Sequence, residues 1–191
     1  MTLVINKNQK GFTLIELLVS TAIFMMVMLA AVGALLITSN AAKKAKSVRY
    51  AMDNVNYAMD SISRNLRLGS DLYCYSVGGF STASTTNDCV GGSAIAYMPY
   101  NGSSQNNGYQ LYKNTTTGIT SIQMCDANNG GCSDMTAPDI DITDMRFTVR
   151  GSSKTDGIQP STIIIIKGKV DIGGKVTTFA LQTLASQRST E

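Results

Sequence analysis

Residues 12–37 are a run of 26 in which only Thr13, Glu16, Ser20, Thr21 and Gly33 are not apolar. No other feature constrains the chain as much. At about 1.5 Å per helical residue the run reaches roughly 39 Å, against a hydrocarbon core about 30 Å thick. A cleaved secretory signal has an apolar region of only about 7–15 residues with a small-residue cleavage site behind it. No such site follows here, so the run reads as a retained membrane helix.

The remaining chain is polar and rich in Gly, Ser, Thr and Asn. It contains no histidine, which removes Ser-His-Asp and Cys-His nucleophilic sites and His-based metal centres. Net charge is +3, no signature of nucleic-acid binding by itself. The local asymmetry lies in Lys43, Lys44, Lys46 and Arg49, just beyond the apolar run. These residues suit either phosphate contacts to DNA or snorkelling to lipid headgroups, and the second reading is the expected one. Counting Lys and Arg at the two ends of the run, two before and four after, favours a cytoplasmic C-terminus by the positive-inside rule.

The stretch Lys10-Gly11-Phe12-Thr13-Leu14-Ile15-Glu16 overrides that count. It resembles the type III signal of prepilins and pseudopilins, the subunits of type IV pili, type II secretion systems and competence pili. A basic leader, a Gly-Phe junction and a Glu four residues into an apolar helix must all coincide, and a lone carboxylate at that depth is costly. The resemblance implies that residues 1–11 are a cytoplasmic leader, cut off between Gly11 and Phe12 by prepilin peptidase. It implies N-methylation of Phe12, and it makes Glu16 the subunit-assembly residue. Everything after residue 37 then lies outside the cytoplasm. The ending Phe179-Ala-Leu-Gln-Thr-Leu-Ala-Ser-Gln-Arg188 also resembles the last strand of J-type minor pseudopilins and related minor pilins.

Beyond the apolar run, Ala41, Ala45, Val48, Met52, Val55, Met59, Ile62 and Leu66 recur in alternating steps of four and three. This spacing predicts a narrow apolar seam along a continuing helix that stops at Gly69-Ser70. A free coiled coil would want regular flanking charge pairs, which are poor here, so the seam is expected to pack on the C-terminal domain.

Strands are predicted at Ala94–Met98 and at residues 109–113 and 119–124. Residues 140–149 form another, whose phase slips at Thr143-Asp144 and suggests a bulge. The β-branched run 163–166 reads as a central strand covered on both faces. Residues 176–184 are its partner through a tight Gly173-Gly174 hairpin. Glycine pairs such as Gly78-Gly79 mark the loops between. The expected class is α+β, pilin-like: a long N-terminal helix, half membrane segment and half amphipathic stem, packed on an antiparallel sheet. The expected divisions are a leader (1–11), a membrane and filament-core helix (12–37), a stem (38–68) and a β-rich domain (69–191).

Cys74, Cys89, Cys125 and Cys132 all fall on the exported side, where an even set in a loop-rich domain reads as two disulfides. Of three connectivities, Cys74–Cys89 with Cys125–Cys132 is expected, since each pair brackets an irregular segment without its own core. Residues 126–134 offer alternating oxygen ligands. A calcium loop would need an acidic group at its twelfth position, where Ala137 stands, so a polar turn is the expected reading. Asn101-Gly-Ser103 and Asn114-Thr-Thr116 match glycosylation acceptors, without expected consequence in a bacterial-type pilin.

The resulting expectation is a non-enzymatic minor pilin or pseudopilin with no cofactor, metal or small-molecule substrate. It would be held in the inner membrane with its C-terminal domain outside the cytoplasm, then assembled into a filament. The resemblance implies other pilin subunits, prepilin peptidase, an inner-membrane assembly platform and membrane lipid as partners, and no nucleic acid. A major pilin and a DNA-binding uptake pilin are the alternatives.

Overall fold

A computed structural model describes residues 11–76, 79–81, 85–100, 105–155, 157–172 and 174–187. Lys7, Lys10, Gly78, the Asn101 acceptor, Gly173 and Arg188 lie outside them. Among the described residues a single helix, α1, runs Leu14–Leu68. Nine strands follow among them: β1 Ser70–Tyr75, β2 Cys89–Gly92, β3 Ala94–Met98, β4 Asn107–Lys113, β5 Thr120–Asp126, β6 Gly131–Asp134, β7 Ile140–Arg150, β8 Ser161–Ile172 and β9 Lys175–Ser186. The chain divides into two compact units between Ala45 and Lys46.

The α+β class holds, but the strands form two antiparallel sheets rather than one. The first has the order β1-β3-β4-β5-β6 and the second β2-β7-β8-β9. Both contribute to one core with the second half of α1. Val55, Ile62 and Leu66 are buried there with Leu72, Ile95, Tyr109 and Ile122 of the first sheet and Phe147, Ile164 and Ile166 of the second. Each such aliphatic side chain contributes about 1.5–3 kcal/mol of transfer free energy.

The expected seam is real only in part. Ala41 and Ala45 are exposed, Val48 and Met52 are half-buried, and Ala51, Ala58 and Ser63 join the core instead. A straight helix has 3.6 residues per turn, so a strict 3.5-residue stripe drifts off one face. The broader sheet surface accepts the neighbouring small residues as the helix turns.

Polar ties fix the helix on the sheets. Asn54 Oδ1 accepts the Ala137 N–H at 3.0 Å, and Asn65 Nδ2 donates to Tyr109 Oη at 2.5 Å. Gln187 Nε2 donates to the Gly69 carbonyl at 2.9 Å, satisfying a buried group at the helix end. The helix stops where the sequence pattern places the stop. Gly69 is required there by close approach, since a Cβ would lie 2.6 Å from Tyr97 Cδ2. The left-handed turn falls instead on Asp71, at φ 49°, beside the register shift in β1.

The bulge in β7 occurs where the phase slips, between Ile142 and Asp144. β8 is central between β7 and β9, but the expectation of coverage on both faces fails. Thr162, Ile164, Ile166 and Val170 are buried, while Ile163 and Ile165 are half-exposed and Lys167 and Lys169 are exposed. β1, β2 and β6 were not legible as strands. They are short, and two of them carry little but Cys, Gly, Ser and Asp.

Cys74 is bonded to Cys89, and Cys125 to Cys132. The first bridge ties β1 to β2 and so staples the two sheets together. The second joins directly opposed residues of the β5–β6 hairpin. Asp88, next to the first bridge, accepts backbone N–H groups from Gly151 at 3.1 Å and Ser152 at 2.8 Å. Burial pushes its carboxyl up, but the Ser152 hydroxyl, those two N–H groups and Arg150 together hold it below the usual carboxylate range. Reduction is expected to lower the urea midpoint mainly through Cys74–Cys89. A loop of 15 residues is worth about 3 kcal/mol in the chain-entropy model. The seven-residue hairpin loop is worth less. A Cys74→Ser, Cys89→Ser double variant with an unchanged midpoint would refute this staple.

Candidate processing and assembly site

The helix begins at a local cap. Thr13 precedes the first helical residue, Leu14, and its Oγ1 accepts the Glu16 backbone N–H at 3.4 Å. The Thr13 carbonyl takes the first helical hydrogen bond, from Leu17 N–H at 3.2 Å. Thr and Glu three positions apart are the residue types of a capping box, in which the acidic group also faces the positive helix end. The sequence signal for this was present in Thr13-x-x-Glu16, though the cap was not among the expectations.

Hydroxyls farther along satisfy themselves. Thr21 Oγ1 donates to the Leu18 carbonyl at 3.0 Å, and Thr38 Oγ1 to the Ala34 carbonyl at 2.9 Å. Such back-bonding suits a helix in lipid, where no water is available. Among the described residues the Glu16 carboxylate has neither a hydrogen bond nor an ion pair. Phe12 is 81% exposed, and every apolar side chain from Leu14 to Ile37 is exposed as well. Within its own unit, among the described residues, this apolar surface is uncovered, and surface of this extent suits lipid or other helices. Among the described residues α1 is the one helix long and apolar enough to cross a membrane.

Gly11 stands at the junction. Among the described residues a Cβ there would meet nothing within 4 Å. The structure thus brings Gly11, Phe12 and Glu16 onto one cap and the first turn.

The other candidates are placed elsewhere. Lys43, Lys44, Lys46 and Arg49 are exposed along α1. Asp126 spends both carboxylate oxygens within its own turn. Its Oδ1 accepts from Asn128 N–H at 2.9 Å and Nδ2 at 3.1 Å, and its Oδ2 accepts from Asn129 Nδ2 at 2.7 Å. Asp134 accepts from Ser121 Oγ and Gln123 Nε2, at 2.7 and 2.9 Å. Among the described residues no cluster of three or more His, Cys, Asp or Glu could hold a metal. Asn114 Oδ1 accepts from Thr116 and Thr117 N–H in a turn.

One apolar helix of membrane-crossing length continuing into an α+β head defines a pilin-like architecture. The family model described as the prokaryotic N-terminal methylation motif matches residues 6–32. The chain thus carries the N-terminal signature of the type IV pilins and pseudopilins. The J-type subtype draws no support from it. No curated protein and no solved structure matches the chain.

Proposed function

We propose that this chain is a minor pilin or pseudopilin, a structural subunit of a type IV pilus-like or type II secretion-like filament. In this reading prepilin peptidase cuts between Gly11 and Phe12, Phe12 is N-methylated, and α1 is stored in the inner membrane with the disulfide-bonded domain outside the cytoplasm. The assembly platform then extracts the helix into the filament core, where Glu16 guides docking. The four-part division at residues 11, 37 and 68 belongs to the same reading.

The observation that carries it is the methylation motif at residues 6–32 continuing into an apolar helix surface that the chain leaves bare. Subcellular fractionation with quantitative immunoblotting tests it. The processed chain is expected in the inner membrane, with a small, substoichiometric amount in sheared filaments. A chain that dominates the sheared fraction would instead be a major pilin, and one absent from membrane and filaments would overturn the reading.

A further inference from the structure

An edge strand presents unpaired N–H and C=O groups, and proteins normally blunt such edges with short strands, charges, proline or bulges. Three of the four edges here follow that rule. β1 has six residues and a register shift, β2 has four residues and a register shift, and β6 has four residues. β9 does not follow it. It has 12 residues and pairs with β8 without interruption from Ile172↔Lys175 to Ser161↔Ser186. Residues 176–187 contain no charge, no proline and no glycine.

The Gln187 N–H donates to the Pro160 carbonyl at 2.9 Å, so odd-numbered residues bond toward β8. Antiparallel pairing alternates, so the even-numbered residues from Val176 to Ser186 turn both backbone groups away. Leu184 agrees with this, since its carbonyl accepts from Arg67 Nη2 at 3.3 Å, on the helix side. At this end of the edge lies a groove of about 370 Å³ lined by Asp60, Ser63, Arg64, Arg67, Leu68 and Thr183. Its charged groups are two guanidiniums and one carboxylate, and no ion pair joins them. Leu68 and Leu184 are exposed apolar side chains beside it.

We propose that β9 is a docking edge for an extended, acidic segment of another filament subunit, which adds a strand to the second sheet and sets a carboxylate against Arg64 and Arg67. Main-chain hydrogen bonds along the even-numbered residues from Val176 to Gln182 supply affinity, and the guanidiniums select the acidic register. A second copy of β9 fits less well, because it would bring no carboxylate to the groove. The identity of the partner as a filament subunit rests on the function proposed above.

The test places a photo-crosslinking residue at Gln182 in the full-length protein in its own membrane and sequences the captured peptide. The expected adduct is a segment of another subunit that contains Asp or Glu. Ala180→Pro removes only an outward N–H and is expected to lower the adduct about tenfold or more. Ala180→Lys serves if the proline variant melts early. Arg64→Glu is expected to lower the adduct as well, and reversing the acidic residue of the captured peptide to Lys should restore it. An adduct with lipid alone or with a second β9, or one unchanged by the Ala180 variants, would overturn the proposal. If the chain is found in filaments without the adduct, the docking edge falls and the filament reading stands. If the acidic adduct forms with a membrane partner but no filament contains the chain, the reverse holds.

Discussion

Gly11→Val is expected to leave full-length precursor in the membrane, with the processed form reduced on the order of a hundredfold. Among the described residues a Cβ at Gly11 meets nothing within 4 Å, so valine is not expected to disturb the Thr13 cap or α1. A demand for a residue without a side chain would then come from the peptidase. A peptidase that reaches a bond at the membrane surface has to align it closely, and a misplacement of about 1 Å costs on the order of 10² in rate. Intact-mass analysis of the membrane fraction reads the result directly. The wild type should lack residues 1–11 and carry one added methyl, and the variant should keep Met1. Normal processing of Gly11→Val would refute the assignment of the junction, and an unprocessed wild type in a piliated strain would end the pilin reading.

Glu16→Leu is expected to leave membrane insertion and cleavage intact but to cut incorporation into filaments by more than two powers of ten. An acidic group in a lipid-spanning helix costs up to about 2.5–3.5 kcal/mol at the centre and less near the end. Leucine should therefore insert at least as well. Cleavage between Gly11 and Phe12, as proposed, would create a positive α-amino group at Phe12, four residues before Glu16. The resemblance to pilins implies that this amine pairs with the carboxylate of a neighbouring subunit. Removing one partner of a buried ion pair typically costs about 3–5 kcal/mol, because the other charge is left unanswered.

The structure adds a competing local role, since Glu16 occupies the third position of a helix capped by Thr13. Glutamine can serve in a capping box but carries no charge. Glu16→Gln separates the two roles. If the charge recruits subunits, Gln fails in filaments as Leu does. Wild-type incorporation of the Gln variant, measured in sheared filaments, would reduce Glu16 to a cap.

The N-terminal segment was legible as a methylation motif running into a long apolar helix because those signals are local. An apolar run long enough for a bilayer needs no tertiary partner to be recognised. The helix stop at Gly69, the bulge near Thr143 and the β8–β9 pairing were legible for a similar reason, since close-range chain geometry leaves its mark on residue type and phase.

The head was legible only in outline. Whether Ala51 or Ala45 is buried depends on where the sheets begin to cover α1, and no helical period encodes that. β1, β2 and β6 exist because neighbouring strands offer hydrogen bonds and disulfides hold them there, against the weak β-propensity of Gly, Ser and Asp. Ile163 and Ile165 read as core by composition, yet among the described residues nothing packs over that face of β8 tightly enough to bury them. The division of nine strands into two sheets, and the bare edge of β9, follow from long-range pairing. The sequence alone determined that this chain has an apolar helix of membrane-crossing length and a β-rich head. Only tertiary structure decided which faces and edges of the head are buried and which stay exposed, because burial is a property of the space between elements rather than of any one segment.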